Sequence, residues 1–512
     1  MARTMTSLGI GLCALALGPL GACGSPDPSP PHLVVVVVDT LRADALDASP
    51  VLERMAADGV AFERAYTHAP MTLPAHTSLF SSRLPHETGV VVNGQEVPGD
   101  LPLLAEHLAG QGYRTLGVAS MASFWSDRPG EGLERGFERF VRVERDYADG
   151  RATAAALGEL LDEELGATGD GGQALFLLAH LADPHEPYRD FLAGGDDVGL
   201  ALDGNLHDRG DAAEAPHLRA RAFLAAGRHE VLLERGGEAF VPRSLYVHGG
   251  EGAARRRIPV RWEQGERLAL LDRVHASFDL DEPTWVDVEA WVTDRPSQAR
   301  AAERYRLEAA RAGGAVGEIL ADLDARGILE DAVVLFTSDH GEAFGEHGLN
   351  GHSHNLYDEL LRVPTILDLP EGEAFGEQRT LLAERAGELV RHVDLAPTLL
   401  DLAGLAPLPG AVGSSLLEPG RAPAVHFAET HPPEADEEQL ALTDGRWKLI
   451  HRPAAGTFEL YHLERDPGEL RDRWVTDGER FTAWRQSLEQ RAADWRAERA
   501  VEVRDDLEAL GY

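Results

Sequence analysis

Apolar and polar positions alternate along this chain in blocks of two periods. The stretch His32 to Val38, HLVVVVV, is β-branched and apolar throughout, which predicts a strand covered on both faces by other layers, and it ends at Asp39. SPVLERMAADG then has helical periodicity, with Ser49 and Pro50 as cap and first-turn residues and Gly59 as its stop. A second helical pattern runs from about Leu101 to Gly112, and GYRTLGVAS returns to a strand. ALFLLAHL and DAVVLFTSD are further apolar strands, the latter preceded by a helix-like stretch from Tyr305 to Arg326. Strands alternating with helices predict an α/β fold around a mostly parallel sheet. In such sheets chemistry collects outside the carboxyl ends of the strands, where Asp39, Asp183 and Asp339 all fall.

The pattern changes near Leu218. Up to Thr293 it breaks into short alternating segments such as HEVLLE, SLYVHG, IPVRW and WVDVEAWV between Gly, Pro and charged turns. This predicts an antiparallel β-rich insert over 218–296, either a cap over a site or a surface elaboration. From about Gly420 short strands (AVHFAE, QLALTDG, RWKLIHR, FELYHL) precede DPGE and a polar helix ending at EALGY, predicting a smaller α+β subdomain over 420–512. The catalytic α/β domain is expected over 32–217 and 297–419.

The N-terminus carries Arg3, an apolar run from Leu8 to Leu20, and Leu20, Gly21, Ala22, Cys23. The run is short for a membrane span and has the layout of an export signal. It resembles a bacterial lipoprotein signal. That implies removal of residues 1–22, a lipid anchor to the membrane at Cys23 and a tether over 23–31, with the protein facing the periplasm or the cell surface. A plain secretory signal with a chance cysteine is the alternative.

At 512 residues the chain is long enough for about two to four structural units and a large cleft. Hydrophobic residues are 43% and charged ones 26%, which fits a globular enzyme and excludes wholesale disorder. With 86 acidic against 48 basic residues the net charge is -38, a field that repels polyanions, so no nucleic-acid partner is expected. The 2 cysteines, Cys13 and Cys23, both lie in the leader segment. The body therefore has no disulfide, thiolate metal site or cysteine nucleophile.

Candidate chemistry sits on the strand ends. Asp39, with Asp339 and His340 in TSDHGE, offers carboxylates and an imidazole that suit Zn or Mn, whereas an all-oxygen set would suit Ca or Mg. An aspartate in such a place can equally serve as a cap or turn residue. Thr72, in PMTLPAHTSLFSSRLPHETGV, precedes Leu73 and Pro74 and can open a helix. Its hydroxyl is either an N-cap or, beside a divalent cation and a helix N-terminus, a nucleophile.

DTLRAD, TLPAHTSL, RLPHETGV, GYRT, GLERGFERF, HLADPHEPY, TSDHGEAFGEHG, LYDELLRVP, DLAPTLLDLAG and LYHLERDPGE follow one another in this order from His32 to Asp466. The series resembles the sulfatase family of the alkaline phosphatase superfamily. The resemblance implies an α/β sandwich with the metal and nucleophile at the sheet's carboxyl edge. It implies Asp39, Asp339 and His340 as metal ligands and Thr72 as nucleophile and further ligand. Asn93, 21 residues after Thr72, matches an asparagine that bonds a nonbridging phosphoryl oxygen in related phosphodiesterases. His185 matches a histidine that contacts the anion or protonates the leaving oxygen, and His352 stands where many sulfatases have an anion-binding lysine.

The chain also departs from that pattern. Ordinary sulfatases carry cysteine or serine, any residue, proline, any residue, arginine, the first being oxidised to formylglycine; here the segment reads TLPAH, with His76 for the arginine. Lys448 is the single lysine, so a lysine pair cannot grip sulfate. TLPAH is similar to the TxPNH segment of nucleotide pyrophosphatase/phosphodiesterases, which implies direct attack of water on a threonyl intermediate, helped by a second metal. Asp183, His185, His352 and His354 are the second-site candidates, for one or two ions in all. The expected function is a metal-dependent hydrolase of a small anionic ester or an envelope glycan or lipid, phosphodiesters first. The alternatives are a sulfatase without formylglycine, an envelope phosphoethanolamine-type transferase, and a binding protein with a decayed site.

Overall fold

The computed structural model describes residues 30–121, 132–143, 150–166, 172–185, 198–202, 205–209, 217–224, 227–235, 241–249, 256–258, 261–262, 273–280, 284–293, 298–421 and 424–509. The residues for which a leader and a Cys23 anchor are expected lie outside them. No helix among the described residues is long and apolar enough to cross a membrane.

The first half supplies β1 (His32–Val38), α1 (Pro50–Asp58), β2 (Val60–Ala61), α2 (Thr72–Ser81), α3 (Leu104–Gly110), β3 (Arg114–Ala119), β4 (Arg139–Arg142), α4 (Gly150–Leu165) and β5 (Leu175–Leu181). After the insert come α5 (Gln298–Ala325), β6 (Ala332–Thr337), β7 (Thr365–Asp368) and α6 (His392–Leu402). The seven strands form one sheet in the order β2-β7-β6-β1-β5-β3-β4. The pairs from β6 to β4 are all parallel, while β7 runs antiparallel to both of its neighbours. The fold is a sulfatase-like α/β sandwich.

The valine run explains the layering. Leu33, Val35 and Val37 pack with α2, α3 and α6 on one face, and Val34, Val36 and Val38 pack with α4 and α5 on the other. Each β1 side chain is thus buried whichever way it points, which is why the strand is apolar from Leu33 to Val38. Ser49 caps α1 as expected, its Oγ accepting from Val51 N at 3.3 Å.

In the insert, one sheet orders 261–262, 273–280, 227–235, 198–202 and 205–209, and a second orders 256–258, 241–249, 284–293 and 217–224. Their pairings are antiparallel. Two strands, Val198–Leu202 and Asn205–Arg209, precede the expected start at 218. The segments, VGLAL and NLHDR, are only five residues long, too short for their periodicity to mark them as strands.

The C-terminal sheet is β8 (His426–Thr430), β9 (Gln439–Thr443), β10 (Trp447–Arg452) and β11 (Thr457–His462), all antiparallel, followed by α7 (Thr482–Ala509). Leu440, Leu442 and Leu449 face Leu488 and Ala492 of α7, and the alternate residues Ala441 and Ile450 face Tyr66, Leu356 and Leu361 of the large unit. The seam is fastened by Glu429, which is 1% exposed. Its Oε1 accepts from the backbone N and Nδ1 of His86, at 2.9 and 2.7 Å, and its Oε2 from His431 Nε2 at 2.9 Å. Burial alone would raise this carboxyl, but the His431 and His86 hydrogen bonds outweigh burial and bring it down to about 2. A lowered carboxyl stabilises the fold at pH values above its unfolded pKa, and that contribution disappears as pH falls through the folded one. Between about pH 4.5 and 2 the protein should therefore lose about 3 kcal/mol through this group. Acid titration of stability should be flatter in Glu429→Gln by that amount; an unchanged slope would remove Glu429 from the account.

Candidate active site

β1 and β6 are neighbours in parallel register, Val37 opposite Thr337, so the residues just past their ends emerge side by side. Asp339 Oδ1 accepts from Thr40 N at 3.0 Å and from its neighbour His340 N at 2.8 Å, and Ser338 Oγ accepts from Leu41 N at 2.8 Å. The turn is strained at Thr40, whose φ of 55 is left-handed for a β-branched residue. Tyr305 of α5 holds it, its hydroxyl accepting from Arg42 N at 2.6 Å and donating to Thr40 O at 2.8 Å. After His340 the chain passes so close to the 359–360 backbone that a Cβ on Gly341 would lie 2.0 Å from Glu359 O, which only glycine permits.

Asp39, Asp339 and His340 are each fully buried, and one ligand atom from each lies within 4.8 Å of the others. His340 Nδ1 donates to Gly341 O at 3.0 Å, which leaves Nε2 as the lone-pair nitrogen. Burial, exceeding the Asp339 attraction, brings His340 down to about 4, so the ring is neutral. Neither oxygen of Asp39 accepts a hydrogen bond, nor does Asp339 Oδ2. Burial pushes Asp39 well up, and the charges of Asp339 and Glu342 add to that. Asp339 is buried as deeply, but His340, His76 and His180 hold it well down. Two enclosed carboxylates with unpaired oxygens beside a neutral imidazole lone pair are costly alone and fit a divalent cation. It is the sole such three-residue group among the described residues.

Thr72 is the first residue of α2; Met71 occupies the cap position, so the hydroxyl is not spent on the helix. Thr72 Oγ1 lies 3.4 Å from His340 Nε2, and that nitrogen is also 3.4 Å from Asp339 Oδ2. Asn93 Oδ1 accepts from Leu73 N at 2.9 Å, which orients the amide and leaves Nδ2 as its donor. His76 Nδ1 donates to Thr72 O at 2.7 Å and stands 3.7 Å from Asp339 Oδ2. His76 thus bridges the Thr72 segment and the Asp39, Asp339 and His340 group.

His352 packs its ring against His340 and His185, with centroids at 4.6 and 4.9 Å, and its Nδ1 donates to Glu342 Oε1 at 3.2 Å. Burial would raise Glu342; the His352 charge and hydrogen bond outweigh it and lower the carboxyl. Asp183 Oδ2 accepts from Gly150 N at the start of α4, so this carboxylate caps a helix, and it does not combine with His185, His352 and His354 into a ligand group among the described residues. Sequence reasoning also passed over His180, whose Nε2 lies 3.6 Å from Asp39 Oδ2. Its signal was a single polar side chain near the end of the apolar strand ALFLLAHL.

A three-layer α/β sandwich with a buried carboxylate and imidazole group and a hydroxyl at its carboxyl edge defines a metal-dependent ester hydrolase of the alkaline phosphatase-like class. A model of the family described as Sulfatase matches residues 31–405, and one described as N-sulphoglucosamine sulphohydrolase, C-terminal, matches 345–498. The chain belongs to the sulfatase family. It is 26% identical to a choline-sulfatase of Rhizobium meliloti over 91% of this chain and 87% of that one. It is 21% identical to an N-acetylglucosamine-6-O-sulfatase of Bacteroides thetaiotaomicron over 90% of this chain and 86% of the relative. The fold is shared with the phosphonate monoester hydrolase of Silicibacter pomeroyi at a TM-score of 0.56 and 17% identity, covering 91% of this chain and 95% of that one.

Proposed function

We propose that the chain hydrolyses phosphate or sulfate esters through Thr72, with phosphodiesters favoured. The observation that carries this is Thr72 Oγ1, uncommitted as a cap and 3.4 Å from the free nitrogen of His340 in the buried Asp39, Asp339 and His340 group. A divalent cation held by these three residues would supply Lewis-acid charge neutralisation and make the hydroxyl easier to ionise. Thr72 Oγ1 gives up its proton to solvent and attacks the phosphorus or sulfur in line as the bond to the leaving alkoxide oxygen breaks. Asn93 Nδ2 donates to a nonbridging oxygen where charge builds up. His185, its ring edge-on to that of His352, gives one proton to the departing alkoxide, and Glu342 holds His352 by its Nδ1.

The resulting threonyl ester has no geminal hydroxyl by which to eliminate, so water attacks the central atom. That course is usual for phosphoryl esters. A phosphodiester, like a sulfate ester, carries one negative charge, which suits a site without a lysine better than the dianion of a phosphate monoester. Sulfate esters are the second reading, favoured by the two sulfatase relatives. A metal-supplemented panel of aryl phosphodiesters, sulfates, phosphate monoesters and phosphonates, with Thr72→Ala as control, separates them. Turnover of the phosphodiester above the aryl sulfate is expected; the reverse order would leave a sulfatase without formylglycine.

A further inference from the structure

His180 is the one polar side chain in the β5 run LFLLAHL, and its place follows from the sheet. β5 runs beside β1 in parallel register, with His180 opposite Val37 and Leu181 opposite Val38, and Asp39 N extends the ladder by donating to Leu181 O at 2.9 Å. Side chains alternate along each strand, so His180 falls on the face that Phe176 and Leu178 share with Val35 and Val37, and Asp39 falls on it too. His76 of α2 closes that face, its ring edge-on to the His180 ring with centroids at 5.0 Å. His180 Nε2 stands 3.6 Å from Asp39 Oδ2, and both side chains are fully buried.

The two carboxylates of the metal group are supported unequally. Asp339 Oδ1 is taken by the N–H groups of Thr40 and His340, which leaves Oδ2 beside His340 Nε2 at 3.4 Å. Asp39 accepts no hydrogen bond at either oxygen, and the imidazole that faces its Oδ2 is His180. A ring with its proton on Nε2, the tautomer that a carboxylate favours, engages Oδ2 and leaves Oδ1 as the open oxygen. Each aspartate then offers a single oxygen, as Asp339 already does. Together with His340 Nε2 this is a small set of mixed oxygen and nitrogen donors. Such a set suits zinc, which binds few ligands and accepts imidazole, whereas calcium takes about six to eight oxygens and draws on both oxygens of a carboxylate.

We infer that His180 sets which cation the group takes: by holding one oxygen of Asp39 it favours zinc over calcium. The inference rests on Asp39, Asp339 and His340 as metal ligands. His180 is a positioning residue, which acts on the cation through Asp39.

The test titrates chelator-stripped protein with Zn2+ and, separately, with Ca2+ at buffered free-ion concentrations, for the wild type, His180→Phe and His180→Gln. Phenylalanine keeps a ring without a donor, and glutamine keeps a donor without the ring. The wild type should bind zinc more tightly than calcium. In His180→Phe the zinc Kd should rise by about tenfold or more, the scale of losing an outer partner of a metal ligand, while the calcium Kd stays within about twofold. His180→Gln should keep the zinc Kd within about threefold of the wild type, since its amide can donate to Oδ2. Melting midpoints of the stripped proteins report folding, and His180→Leu replaces a phenylalanine variant that does not melt cooperatively. An equal loss for both cations would make His180 a packing residue only. An unchanged zinc Kd in His180→Phe, a glutamine variant no better than phenylalanine, or a wild type that prefers calcium would also overturn the assignment. The two readings part cleanly: a wild type that takes up neither cation sinks the metal group itself, whereas zinc binding that His180→Phe leaves unaltered sinks only the role of His180.

Discussion

Replacing Thr72 by alanine is expected to lower kcat/KM by about a thousandfold or more, since removing a nucleophile leaves only the rate enhancement due to binding and electrostatics. The fold should survive. Thr72 is 2% exposed, but its hydroxyl does not cap α2, and its hydrogen-bond contact among the described residues is with His340 Nε2. Thr72→Ser should keep a substantial part of the activity because the oxygen stays on the first turn of α2, losing only the methyl group that restricts its rotamer. Steady-state rates with the melting midpoints of both variants check this. A Thr72→Ala enzyme with more than about a tenth of the wild-type rate would move the nucleophile to water and make Asp39, Asp339 and His340 a water-activating group.

The largest expected loss of stability lies far from that hydroxyl, at Lys448. Its ammonium is fully buried in β10 and turned toward the large unit, where it meets Asp358 Oδ1 at 2.5 Å, Glu469 Oε1 at 3.0 Å and Leu356 O at 3.1 Å. Burial works against the charge, but Asp358 and Glu469 outweigh it and raise Lys448. In Lys448→Met the carboxyl groups of Asp358 and Glu469, the latter already pushed up to about 8 by burial, lose their counter-ion, and removing one partner of such a buried cluster costs about 3–5 kcal/mol. Adding Asp358→Asn and Glu469→Gln to the methionine variant should restore much of the loss, because charge then leaves together. Urea titrations of the three proteins measure this. A loss below about 1 kcal/mol for the methionine variant would mean that the ion pairs behave as solvated ones.

Much of the frame was legible in the sequence because apolar periodicity and strand-end acids are local signals. HLVVVVV announced a strand covered on both faces, and Asp39, Asp339 and His340 stand together because their strands are adjacent and in register. Thr72 opens a helix as its Leu-Pro successor suggested. What the sequence hid depends on partners far away along the chain. Asp183 looked like a ligand at a strand end but is taken by the first N–H of α4, and His180 passed for one residue of a core strand. Tyr305 reads as an ordinary helix residue, yet its hydroxyl joins both sides of the Thr40 turn 265 positions away. The early insert strands were missed because five-residue segments between Gly and Asp carry too little periodicity to register.

The single lysine has a consequence for how the protein meets reactive molecules. Every other basic side chain that could lie on the surface is an arginine or a histidine, and the one ε-ammonium sits at 0% exposure behind Asp358 and Glu469. Reagents that seek primary amines, such as activated esters, imidates and aldehyde fixatives, therefore find no lysine to modify while the seam is closed. They become reporters of its opening: acylation at Lys448 should proceed only as fast as the C-terminal sheet lifts from the large unit. Amine labelling read at Lys448 itself, apart from the α-amino group, is in this way a measure of subdomain separation without any engineered probe.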